Sequence, residues 1–439
     1  MAVIVERFML SGIYVVMTLL STLFTFIKYQ VLILPNTIFT ILWSFVGLLS
    51  MFNSLDLIEP SATIHLYIIS SIVIFNILYL SFSPGSKKRI FRYLKKDSIF
   101  EIDYPLIYIA AAVSIGFLSI HTINTIAEIR QYGLDMTGIR VMNYGAVENS
   151  DIMFFAFFTR SVPLAVTTAV SLIGSINLNM GNKKLVLLSI FMVVLYTFTY
   201  GGRYQLLNFI SFYIGSYLIL KRKSKIKLKK SYVVLLVGAL VFMTVLRGAS
   251  IGDLFRKITS YFVGSLSFLE LILRNPQLFG LADGSYTFGY LTFGFFFEPI
   301  VLAIKLFLGS GIKVPSYYFN IYAQPFYNIG EGTAIYYNNN TTMFYNFIYD
   351  FGSAGVIIGT GFVALMICLL EKRYIKANNL RSLFLLVFSY SVIINSTMMY
   401  TLTNVNASLI LLFLAVFVRK RQVKRHKTVA QMSKEKGAL

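Results

Sequence analysis

The chain has 439 residues, 57% of them hydrophobic and only 13% charged, with a formal net charge of +21 and a mean hydropathy of +0.72. A soluble domain cannot bury that much apolar surface, so the composition points to an all-α, polytopic integral membrane protein. So large a positive charge would suit nucleic acid, but its placement argues otherwise, because Lys and Arg stand in short blocks between apolar runs; that is the positive-inside pattern, with some attraction to anionic membrane lipid.

One pass through a bilayer needs about 20 apolar residues. The first such run is 9–27; it has little charge ahead of it and no small-residue cleavage site, so it reads as a helix rather than a signal peptide. Further spans are expected at 31–51 and 64–82. Lys87-Lys88-Arg89, Arg92, Lys95 and Lys96 then form the first cytoplasmic anchor. The fourth span, 104–123, is followed by a polar external stretch, 124–151, of mixed charge. The fifth, 154–178, ends at Lys183-Lys184. The sixth, 185–199, rises to Tyr200-Gly201-Gly202-Arg203, and the seventh, 204–220, returns to the basic block at 221–230. The eighth, 232–246, delivers Arg247-Gly248 to the outer side. Spans at 351–370, 380–399 and 405–418 complete the set, with Glu371-Lys372-Arg373, Lys376 and Arg381 in an inside link and a basic cytoplasmic tail at 419–439.

Residues 248–351 form the longest interval between basic blocks and are expected to build an external cap on a single transmembrane domain, 1–418. Two apolar segments inside it carry charge: 258–273 holds Glu270, and 288–308 holds Glu298 and Lys305. A charge at mid-membrane costs roughly 2.5–3.5 kcal/mol, which favours helices on or dipping into the membrane over a pair of spans. The expected total is about eleven spans, or about thirteen if both segments cross.

This topology gathers polar groups on one face. Arg203 and Arg247 end on it, and so does His121; Arg160 lies in the outer third of the fifth span. Each arginine has a plain alternative, snorkelling to the headgroups or, for Arg160, pairing with a carboxylate. Gly201 and Gly202 remove bulk beside Arg203 and permit φ > 0, so a ligand could approach closely. Two guanidinium groups from different helices can hold a pyrophosphate through planar, permanently charged, bidentate donation.

Thr199-Tyr200-Gly201-Gly202-Arg203, followed by Leu246-Arg247-Gly248, resembles the Wzy-type oligosaccharide repeat-unit polymerases that build O-antigen and capsule. Gly284-Ser285-Tyr286-Thr287-Phe288-Gly289 and the run from Asn340-Thr341-Thr342 to Tyr349-Asp350-Phe351-Gly352-Ser353-Ala354-Gly355 extend the likeness over residues of about 100 to 400. Arg203-x3-Leu207 also resembles the Arg-x3-Leu pattern of O-antigen ligases. Those ligases carry a histidine in the large external loop, whereas the histidines here are His65, His121 and His426.

The resemblance implies a GT-C-like polymerase or ligase fold and a glycosyltransferase of the bacterial inner membrane. It would act on undecaprenyl-pyrophosphate-linked glycan at the outer face, without metal, cofactor or nucleotide sugar, and a chain-length regulator protein is an implied partner. In that chemistry Arg203, Arg247 and Arg160 would stabilise the leaving pyrophosphate. An acceptor hydroxyl would call on a base among Glu331, Asp350, Asp283 and His121. Each has a plainer role: Asp350 capping a helix that starts near residue 351, Glu331 as a loop carboxylate, Asp283 as a turn residue, and His121 at the interface. Tyr317, Tyr318, Tyr322, Tyr327, Tyr336 and Tyr337 could stack on sugar rings or form an interfacial aromatic belt; Asn340 and Thr341 could read sugar hydroxyls or merely turn the chain. A ligase and a lipid-linked glycan flippase remain the alternatives to a polymerase. A transporter would be expected to show internal repeats, and none is visible.

Overall fold

The computed structural model describes residues 2–51, 56–84, 100–132, 157–200, 202, 204–220, 238, 254–281, 284, 286–308, 311–323, 325–332, 334–338 and 340–420. The first three helices, α1 (Ala2–Tyr29), α2 (Pro35–Ser50) and α3 (Ala62–Phe82), pack on one another. Pro35 opens α2 where a missing N–H costs nothing. Their contact combines apolar packing, with Phe39 stacked on Phe75 at 4.3 Å, and buried hydrogen bonds. Asn36 donates to the Thr25 hydroxyl at 2.6 Å and Asn76 to the Thr40 hydroxyl at 2.8 Å, while Phe8, Leu19 and Ile27 are exposed on the outside. Apolar side chains exposed in this way would aggregate in water and suit lipid, where interhelical hydrogen bonds help hold helices together.

After a short strand, β1 (Phe100–Ile102), come α4 (Tyr104–Tyr132), a π-helical turn (Phe157–Ser161), α5 (Val162–Asn179), α6 (Val186–Tyr200) and α7 (Tyr204–Leu220). Helix α5 is buried along nearly its whole length and packs on α4, α6 and α7. Every expected span that falls among the described residues is a helix; 232–246 lies outside them apart from Gly238. Five helical stretches among the described residues are long and apolar enough to cross a membrane: Glu6–Tyr29, Ala62–Phe82, Tyr104–Gln131, Phe157–Asn179 and Thr342–Ala377. Further apolar helices, including α2, α6 and α7, are shorter.

The segment 258–273 lies in α8 (Leu254–Arg274), and 288–308 becomes a turn followed by α9 (Gly294–Leu308). Neither is among the five long apolar stretches. Both awkward carboxylates have partners. Glu270 is buried and accepts from the Ser61 N–H at 2.9 Å and from Arg274 one turn on at 2.8 Å. Glu298 accepts from the N–H and hydroxyl of Ser316, at 2.9 and 2.6 Å. The interval continues through α10 (Pro315–Ala323), a hairpin of β2 (Tyr327–Asn328) and β3 (Tyr336–Tyr337), and α11 (Thr342–Phe351). The link after α2 meets this hairpin: Leu57 bridges Gly330, and the Glu331 N–H donates to the Asp56 carbonyl at 2.8 Å.

The last part holds α12 (Gly355–Ala377), α13 (Leu380–Asn395), α14 (Val405–Phe417) and β4 (Val418–Lys420). The basic residues expected in a link instead occupy the last turns of α12 and the first of α13. The reversal between them needs only Asn378 and Asn379. Asn378 takes the left-handed conformation (φ 44°) that ends a helix, and the Asn379 side chain accepts from Ser382 N–H at 2.9 Å to begin the next. Strand β4 pairs antiparallel with β1, and Arg419 meets Asp103 at 3.0 Å.

Candidate functional site

Helix α6 stops where two glycines remove its support, and its last residue, Tyr200, is buried. Three elements meet at that ring. The Arg160 guanidinium stands over it, 5.1 Å from its centroid. The His121 ring lies 6.0 Å away, and the Tyr196 ring packs tilted against Tyr200 from one turn below at 4.7 Å. Hydroxyls brace the junction. Thr122 and Thr199 lie 2.7 Å apart, and Thr125 donates to the Thr199 carbonyl at 3.2 Å. Arg160 belongs to the π-helical turn that opens α5, a local widening common at functional positions. It therefore meets an aromatic face, which attracts a cation. Gly202 follows two residues after Tyr200, and a methyl group added there would meet no described atom within 4 Å. Gly201, Arg203, Arg247 and Asp283 lie outside the described residues.

Asp350 is fully buried, in the last turn of α11 rather than ahead of a helix. Its carboxylate accepts from the Thr287 hydroxyl, from Leu291 N–H at 3.1 Å and from Thr292 N–H at 2.5 Å. It caps the turn that leads into α9 and not the helix that sequence suggested. A carboxylate so occupied is a structural acceptor. Glu331 is exposed at the hairpin tip beside Gly332, whose φ is 78°.

Asn340 and Thr341 are buried where the chain docks on the end of α13. There Thr342 N–H donates to the Met398 carbonyl at 3.1 Å and Met343 N–H to that of Ser396 at 2.9 Å. The run thus anchors backbone to backbone.

The tyrosines divide in the same way. Tyr327 packs on Phe279 at 4.8 Å, Tyr337 on Phe268 at 6.1 Å and Tyr318 on Tyr349 at 5.6 Å. They help build the core of the cap, and burial raises the Tyr327 phenol above its ordinary value. Tyr336, 65% exposed, is the one of these that keeps most of its ring open.

The expected site residues thus fall into three groups: Arg160, His121 and Gly202 around Tyr200; Asp350, Asn340 and Thr341 around α11; and Glu331 with Tyr336 on the hairpin. Phe157, in the same π-helical turn as Arg160, packs against the cluster of Val301, Leu302, Val314 and Val405. The same end of α7 is tied to the end of α13, with Asn395 donating to Asn208 at 2.8 Å. Tyr200, the hub of the first group, was not singled out from sequence; its position directly before Gly201-Gly202-Arg203 was the available signal. Among the described residues no three His, Cys, Asp or Glu side chains converge as metal ligands would. No family model, curated protein or solved structure matches the chain.

Proposed function

We propose that the protein is a membrane glycosyltransferase that polymerises undecaprenyl-pyrophosphate-linked oligosaccharide repeat units at the outer face of a bacterial inner membrane. It would adopt a GT-C-like arrangement. The observation that carries this is the meeting of Arg160 and His121 at Tyr200, next to the Gly201-Gly202-Arg203 motif. A fixed cation and an imidazole brought together at a helix end suit an anionic leaving group and a hydroxyl nucleophile.

In the reaction, the acceptor sugar hydroxyl attacks the anomeric carbon of the lipid-linked chain. The bond from that carbon to the pyrophosphate oxygen breaks, and the pyrophosphate leaves with the electron pair. It is already anionic, so charge stabilisation by Arg160, Arg203 and Arg247 matters more than a proton donor. His121 takes the hydroxyl proton. Asp350 holds the cap together and Glu331 stays in solvent, so neither is assigned this role.

Purified protein given lipid-linked repeat units alone should yield a ladder of lengthening glycans. Transfer only when lipid A core is added would make it a ligase, and movement between leaflets without new bonds a transporter. Arg203→Lys and Arg203→Ala should each abolish the ladder, a loss of about a hundredfold or more, because an ammonium cannot reproduce the planar fork. A ladder retained by the Lys variant removes the bidentate role.

A further inference from the structure

At the opposite end of α12 and α13 from the cap, two arginines flank a cavity of about 150 Å³. Arg373 comes from the last turns of α12 and Arg381 from the first turn of α13. The walls are Phe384, Leu411, Leu414 and Ala415, all apolar. Arg381 is held in place: its guanidinium donates to the Ala415 carbonyl at 3.1 Å and lies 5.6 Å from the Phe100 ring. Among the described residues neither arginine pairs with a carboxylate. Asp103 is engaged by Arg419, and the buried Glu371 accepts from the hydroxyls of Tyr79, Ser83 and Tyr390. Leu412 and Val416, on the same helix as the cavity wall, are exposed.

Two cations above an apolar slot between membrane helices match a ligand that is anionic at one end and hydrocarbon at the other. A cavity of about this volume takes a benzene-sized group, enough for the first part of an acyl chain and too small for a whole lipid. We propose that it binds an anionic phospholipid. The phosphodiester sits between Arg373 and Arg381, the start of one chain enters against Phe384, Leu411 and Leu414, and the remainder lies along Leu412 and Val416. By the positive-inside pattern this is the cytoplasmic leaflet. The site is independent of the transferase reading and is tested without it.

The full-length protein in detergent would be given phosphatidylglycerol, phosphatidylcholine or inorganic phosphate, and bound lipid read by native mass spectrometry and thermal melting. Phosphatidylglycerol should be retained and raise the melting temperature, phosphatidylcholine should do neither, and phosphate should not displace the lipid. Arg373→Gln, at an exposed position, and Arg381→Gln should each weaken phosphatidylglycerol retention about tenfold or more. Lys372→Gln, the same loss of charge on the same helix, should cost less than either. Equal retention of the two lipids, displacement by phosphate alone, unchanged retention in both arginine variants, or an equal effect of Lys372→Gln would each overturn the proposal.

Discussion

Tyr200 has two neighbours that would not choose each other: a guanidinium and an imidazole. The aromatic face is what makes the arrangement affordable, so the ring rather than the phenol should matter. Tyr200→Phe should keep glycan ladder formation, while Tyr200→Leu should slow it roughly threefold to thirtyfold, the range of a cation–π contact; equal rates for the two variants would show that the ring does not position Arg160. Asp350→Asn tests the opposite kind of residue. It should lower stability by about 1–3 kcal/mol, because an amide cannot accept from Thr287, Leu291 and Thr292 together. A variant that melts like the parent yet makes no polymer would return Asp350 to the chemistry. Arg160 stood out in the sequence because a charge within an apolar run is costly wherever it goes. Tyr200 did not, because a tyrosine at a helix end is ordinary until its neighbours are known.

The elbow between α11 and α12 explains the Asp350-Phe351-Gly352-Ser353-Ala354-Gly355 pattern at the level of the element. Gly352 takes φ 61°, a conformation that costs other residues energy. A Cβ at Gly355 would collide with the Phe347 carbonyl, and one at Gly359 with the Phe347 ring. These glycines let two successive helices fold back in contact. Gly355→Ala and Gly359→Val should each cut the yield of monodisperse protein on size-exclusion chromatography sharply, with destabilisation of about 3 kcal/mol or more; a parental elution profile for both would show that the elbow tolerates bulk. The motif was visible in the sequence as a resemblance. Its mechanical reason was not, since the clash involves a helix turn eight residues back. The same limit applied to the basic block at 371–381, where hydropathy marked an end to the apolar run but gave no reason for the helix to stop there; the stop is written in Asn378 and Asn379.

For the whole molecule, the apolar helices were legible because a bilayer crossing follows one strong rule, about 20 apolar residues per pass, and five described stretches meet it. The cap obeys no such rule. Its order comes from tyrosines packing on phenylalanines far away in sequence and from buried Glu270, Glu298 and Asp350, each satisfied by a partner that composition could not nominate. Inside the bundle, too, the hydrogen bonds among Asn36, Thr25, Asn76 and Thr40 could not be read from hydropathy, because they depend on which faces of α1, α2 and α3 meet. Strand β4 clasps β1 across nearly the entire intervening chain. During biosynthesis that latch can engage only after the whole chain between the two strands has been made, so the growing polypeptide stays unfastened there until its last helix is complete.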